Sequence, residues 1–161
     1  MTFPALVFYE TAQEYKEHFK SVYCRNEIYT FDKIRVFFKE DKFNHSFYES
    51  PTRDGRKSSQ ISIGRAQRID WIKYVLENLG ASLYQGWNKD AKKHEPDRRV
   101  SLVLNNYVVV IELSFKLDET LKANFITAYV LVGSETIKKI KSGPVWDLEK
   151  CVSAIKTKNR A

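Results

Sequence analysis

The feature that most constrains this chain is a change of hydrophobic period near residue 80. Before it, Arg65, Ile69, Ile72, Leu76 and Leu79 recur at steps of four, three, four and three, which lines them up on one face of a helix over Gly64 to Leu79. Gly80 supplies the stop. After it, Ser82 to Trp87, Arg98 to Leu104, Tyr107 to Lys116 and Asn124 to Val132 alternate with period two, the mark of strands. Asn105-Asn106 joins two of these as a tight hairpin turn. Consecutive strands joined in this way form an antiparallel meander, whose apolar face needs a cover of helices.

The first half provides that cover. Thr11-Ala-Gln-Glu14 has the spacing of a capping box, and Tyr15, Phe19 and Val22 follow at helical intervals, so residues 11 to 23 read as a helix. Glu27 to Phe31 and Ile34 to Phe38 are short β-branched and aromatic runs, either two strands or a ragged hairpin. Residues 39 to 49 continue as a short helix, and Ser50 to Ser59 is a surface loop with net positive charge. A last helix starts at Ser134 and ends at Gly143-Pro144, with a loosely structured tail over 147–161. The expected fold is α+β, with N-terminal helices packed on one face of a four- to five-stranded antiparallel sheet. At 161 residues, with 43% hydrophobic residues, the chain reads as a single domain with its core between about 11 and 146.

Lys and Arg number 27 against 20 Asp and Glu, a formal charge of +7, which makes a polyanion the natural partner. Cys24 and Cys151 lack CxxC spacing and His or Cys companions, so a reduced, cytoplasmic protein without structural zinc is expected. No apolar run approaches the roughly 20 residues that span a bilayer, and the first ten residues lack the pattern of a cleaved leader. The chain has no P-loop, GxGxxG, HExxH or GxSxG, and no carboxylate cluster suited to paired metal ions. No cofactor and no metal are expected.

Strand alternation divides the residues between faces. In the run from Asn106 to Lys116, Tyr107, Val109, Ile111, Leu113 and Phe115 form the apolar set, and Glu112 falls on the wetter face. In the run from Asn124 to Val132, Ile126, Ala128, Val130 and Val132 read as core, leaving Phe125, Thr127, Tyr129 and Leu131 on the other side. A turn over Leu117 to Lys122 then pairs Glu112 with Thr127 and Ser114 with Phe125. Glu112, Thr127, Tyr129 and Phe125 would share an open surface suited to base stacking and proton transfer on single-stranded RNA. The alternative is a second small core under a loop.

Arg65 stands on the apolar stripe near a helix start, where its guanidinium is either a phosphate ligand or a salt bridge closing the core edge. His45, between the anchoring Phe43 and Phe47, is either an acid–base group or a structural histidine. His18 and His94 have less context. The segment from Trp87 to Arg99 reads as a basic loop that holds RNA or is simply solvated, and Arg53, Arg56, Arg68, Trp87, Arg98, Arg99 and Phe125 are the candidate substrate-binding residues.

Phe43-Asn-His-Ser-Phe, Arg65-Ala-Gln-Arg-Ile-Asp-Trp-Ile, Phe125-Ile-Thr-Ala-Tyr and Pro144-Val-Trp resemble the phage- and mobile-element-encoded nucleases of the barnase, EndoU, colicin-RNase and RelE superfamily. The resemblance spans about residues 28 to 146. It implies a barnase/RelE-like domain that cuts RNA without metal, with His45, Arg65, Thr127 and Tyr129 in its active site, while Glu112 comes from the face division alone. The serine after His45 and the basic insertion from Arg53 to Ser59 depart from the pattern. The implied reaction is attack of a 2′-hydroxyl on the adjacent phosphate, giving a cyclic phosphate. His45 and Glu112 would move protons, Arg65 with Arg98 or Arg99 would stabilise charge, and Thr127 and Tyr129 would position the phosphate. The implied partner is RNA, tRNA or mRNA, with room for a protein inhibitor or antitoxin in a toxin-type RNase, and no membrane. Two other readings stay open: an RNA- or DNA-binding module without chemistry, and an interaction protein whose basic face meets an acidic partner.

Overall fold

A computed structural model describes residues 2–48, 60–88, 92–115, 121–132, 138, 140–141 and 143–160, without the side chains of 87, 88, 95–97, 115 and 155–160. The capping box forms as expected. The Thr11 hydroxyl accepts from the Glu14 amide, the Glu14 carboxylate accepts from the Thr11 amide, and α1 (Ala12–Phe19) begins there. A π-helical turn, Lys20–Cys24, continues it and carries Tyr23 into the core, where its hydroxyl donates to the Ile69 carbonyl at 2.6 Å and accepts from the Lys73 amide at 3.0 Å. α2 (Lys42–Phe47) buries Phe43 and Phe47 and leaves His45 exposed.

The long helix expected over Gly64 to Leu79 is two. α3 (Ile63–Gln67) and α4 (Ile69–Leu76) meet at Arg68, whose φ of −95° and ψ of 20° interrupt the helical path. Ile69, Ile72 and Leu76 still face the core as their spacing predicts, joined by Val75, but α4 ends at Leu76, so Leu79 is 82% exposed instead of core.

The sheet has six strands where four or five were expected, in the order β1 (Ile28–Tyr29), β2 (Arg35–Phe37), β6 (Leu121–Val130), β5 (Tyr107–Phe115), β4 (Lys93–Leu104), β3 (Ser82–Asn88). The two short N-terminal runs form an antiparallel pair, and β2 extends the meander by lying parallel to β6 over Lys122 to Asn124. Within the segment from Trp87 to Arg99, read as a loop from sequence, residues 87–88 and 93–99 lie on β3 and β4, with Trp87 opposite His94 and Asn88 opposite Lys93. Nor is the tail loose. α5 (Leu148–Arg160) packs on β4, and Cys151 and Trp146 are buried in the main core.

That main core lies between the helices and the sheet. A smaller cluster, Val103, Val108 and Leu131 with Tyr84, Val110, Tyr129 and Ile140, covers one end of the opposite, outer face. That cluster makes part of the outer face a small second core, while Glu112 and Arg99, further along it, keep 37% and 42% of their side chains exposed. Among the described residues no helix is long and apolar enough to cross a membrane.

Candidate active site

β5 keeps strict alternation: Tyr107, Val109, Ile111 and Leu113 are buried, and Glu112 faces outward with 37% of its side chain exposed. β6 does not. Val110 pairs with Thr127, but the next residue, Ile111, pairs with Phe125, so Ile126 has no partner on β5. One surplus residue reverses the phase of a strand at the point where it occurs. Ala123 and Phe125 therefore face the core before the bulge, and Ala128 faces it after.

Phe125 is accordingly 0% exposed and stacks on Phe38 with ring centroids 4.8 Å apart, a core residue rather than a strand-holding one. Val132, assigned to the core by alternation, is 81% exposed, and Ile126 is the bulge residue itself. Thr127 and Tyr129 lie on the outer face, opposite Val110 and Val108. Glu112 pairs with Asn124 and not with Thr127, and Ser114 with Lys122 and not with Phe125. Glu112 and Thr127 thus share a face as diagonal neighbours, two residues apart along β5.

Beyond Asn124 the strand pairing with β2 ends, and α2 and α3 take its place against the edge of β6. The Ser46 hydroxyl donates to the Ile126 carbonyl at 3.2 Å, tying α2 to the bulge. The Ser46 carbonyl in turn accepts from Arg65 Nη1 at 3.1 Å, and the Arg65 guanidinium lies 5.8 Å from the centroid of the Tyr129 ring. Burial pushes the Tyr129 phenol up from its ordinary value, and the nearby Arg65 charge pulls it down by less. Arg65 and Tyr129 thus meet at this edge, and His45 directly precedes Ser46 on the exposed side of α2.

The remaining candidates are distributed elsewhere. Arg68 donates to the Gly64 carbonyl at 2.8 Å and lies 5.0 Å from the Trp71 ring, which gives it a role in the α3–α4 junction. Arg99 pairs with Glu112 at 3.6 Å on the outer face, one strand further from the β6 edge. Arg98 is half-buried on β4, and Trp87 is on β3. Arg53 and Arg56 lie outside the described residues. His18 is bound between Asp70, at 2.7 Å, and the Tyr9 hydroxyl, at 2.9 Å. Among the described residues no three His, Cys, Asp or Glu side chains are grouped to hold a metal ion.

Sequence reading missed Ser46 as the link between α2, Arg65 and the bulge. The available signal was Phe125 and Ala128, two small or aromatic apolar residues three apart in a strand, a spacing that strict alternation cannot bury on one face. No protein-family model, no curated protein and no solved structure matches the chain.

Proposed function

We propose that this protein is a metal-independent endoribonuclease that cleaves RNA by 2′-hydroxyl attack, with its reacting phosphate at the α2–α3 edge of β6. The observation that carries this reading is the Arg65 guanidinium, fixed by the Ser46 carbonyl and set over the Tyr129 ring, with the exposed His45 one residue from Ser46 along α2. A phosphate at this edge meets the three things the reaction needs. Arg65 supplies fixed positive charge for the developing phosphorane. His45 takes the 2′-hydroxyl proton in the pH range where imidazole is neutral. Tyr129, a phenol protonated at neutral pH as any tyrosine is, donates a hydrogen bond to a phosphoryl oxygen, and Thr127 offers a second hydroxyl on the same face. The bonds balance: the 2′ O–P bond forms, the P–O5′ bond breaks, His45 takes the proton of the 2′-oxygen, and solvent water delivers one to the leaving 5′-oxygen. Glu112 stands further along the face and is ion-paired with Arg99, so the charge at the reacting phosphate comes first from Arg65.

The test is incubation of the pure protein with RNA in excess chelator. The expected products carry cyclic-phosphate and 5′-hydroxyl ends, and Arg65→Ala or His45→Ala reduces the rate by roughly a hundred- to ten-thousand-fold. Cleavage by either variant at the parent rate removes that residue from the mechanism. Salt-sensitive RNA binding with no cleavage supports the module without chemistry. No affinity for RNA supports the interaction protein.

A further inference from the structure

The outer face continues from the β6 edge toward the β1–β2 corner as two rungs that cross the sheet. One rung runs Arg35, Lys122, Ser114 and the other Phe37, Asn124, Glu112, Arg99, each residue paired in register with its neighbour. At about 4.8 Å between strands, the second rung spans roughly 14 Å. In the other direction the face is closed by Val103, Val108, Leu131 and Ile140. A strand whose phosphate sits beside Tyr129 and Thr127 can therefore continue along the sheet across these rungs.

The corner has the chemistry of a stacking platform. The Arg35 guanidinium lies 4.6 Å from the Phe37 centroid and 5.8 Å from the Tyr29 centroid, and Lys122 Nζ lies 5.6 Å from Phe37. Tyr29 is 40% exposed, large for a tyrosine on a strand. Lys122 has no carboxylate partner among the described residues, whereas Arg35 and Arg99 pair with Glu27 at 3.3 Å and Glu112 at 3.6 Å. Exposed pairs of this kind are worth little and yield to a phosphodiester. Ser114 Oγ, Arg35 Nε and Arg99 Nε on the same rungs are buried beneath the groups around them, so a strand would meet the guanidinium tips and not these atoms. Cations interleaved with aromatic rings on an open sheet bind unpaired bases, because stacking needs a free π-face that a duplex does not offer.

We propose that the substrate is single-stranded RNA, and that nucleotides flanking the cleaved bond lie across the β6–β2 rungs with a base on the Tyr29–Arg35–Phe37 stack and a phosphodiester on Lys122. This rests on the RNA reading above and adds a second subsite to it.

The experiment measures binding and cleavage of a single-stranded oligoribonucleotide of about twelve nucleotides, the same sequence as a duplex, and a dinucleoside monophosphate. It compares the parent with Tyr29→Ala/Lys122→Gln, two half-exposed positions, and checks the fold of the variant by thermal unfolding. The expected result is preference for the single strand, a loss of about tenfold or more in affinity for it in the variant, a salt slope shallower by about 0.7, and an unchanged dinucleotide rate. Equal affinity of parent and variant for the oligonucleotide overturns the platform, as does equal affinity for the duplex. Binding lost in the variant without cleavage by either protein leaves the platform standing and overturns the nuclease reading. Absence of binding in the parent overturns both.

Discussion

Ser46 donates its hydroxyl to the carbonyl of Ile126, the one residue of β6 without a partner on β5. This bond fastens a helix to the point where the strand changes phase, and the same serine's carbonyl holds Arg65. The geometry of the edge therefore depends on a residue that takes no part in the proposed chemistry.

Ser46→Ala removes that hydrogen bond and should cost about 0.5–1.5 kcal/mol, which lowers Tm by a few degrees in a domain of this size. Cleavage should fall by more than the loss of folded protein explains, because Thr127, Tyr129 and Arg65 are positioned through the bulge. A lower Tm with undiminished cleavage per folded molecule would separate the bulge from the site.

Arg65→Lys keeps the charge but loses the planar fork that reaches the Ser46 carbonyl while lying over Tyr129. The variant should fold, and kcat should drop by roughly a hundredfold. Parent-like kcat in this variant would mean that a point charge is sufficient at this position.

Burial holds the Tyr107 phenol well above its ordinary value, with Arg68 and Arg65 opposing by less, and Tyr23 is displaced in the same direction, chiefly by burial. A phenol with a raised folded-state pKa contributes stability that is complete below its unfolded value and disappears as pH rises through the folded one. From about pH 10 upward each such tyrosine should lower stability by about 1.4 kcal/mol per pH unit. Urea midpoints measured at about pH 9 and about pH 11 should converge in Tyr107→Phe relative to the parent.

A Cβ on Gly86 would collide with the Cβ of Arg99 and lie 3.0 Å from its carbonyl oxygen. Gly86→Ala must therefore push β4 away from β3 and should cost about 1–3 kcal/mol. It should also disturb the Arg99–Glu112 pair, visible as a loss of RNA affinity at low salt. An unchanged urea midpoint would show that the two strands move apart freely.

His18 joins the N-terminal segment to α4 through Tyr9 and Asp70, beside the Val7 amide, which donates to Gln67 at 2.9 Å. His18→Ala should speed hydrogen exchange at Val7 and Tyr9 while leaving the strand amides of β4 and β5 protected. Equal exchange in both proteins would show that the Phe3–Trp71 contact, with ring centroids 4.4 Å apart, is enough to hold the segment.

Much of this fold is written in local pattern. The capping box at Thr11, the Asn105–Asn106 hairpin, the buried odd positions of β5 and the outward Glu112 follow from side-chain period and turn chemistry, which involve only near neighbours in sequence. Phe43 and Phe47 likewise anchor α2 and leave His45 outside. By itself the sequence determined an α+β chain with a basic surface and the identities of the groups at the edge.

Tertiary structure decided where those groups meet. The parallel seat of β2 on β6 and the bulge at Ile126 each depend on contacts between segments far apart in the chain. A single surplus residue sends Phe125 into the main core and Tyr129 to the outer face, though they are four apart and strict alternation gives them one face. The helix that stabilises this residue comes from eighty positions earlier, so no local pattern along β6 contains it.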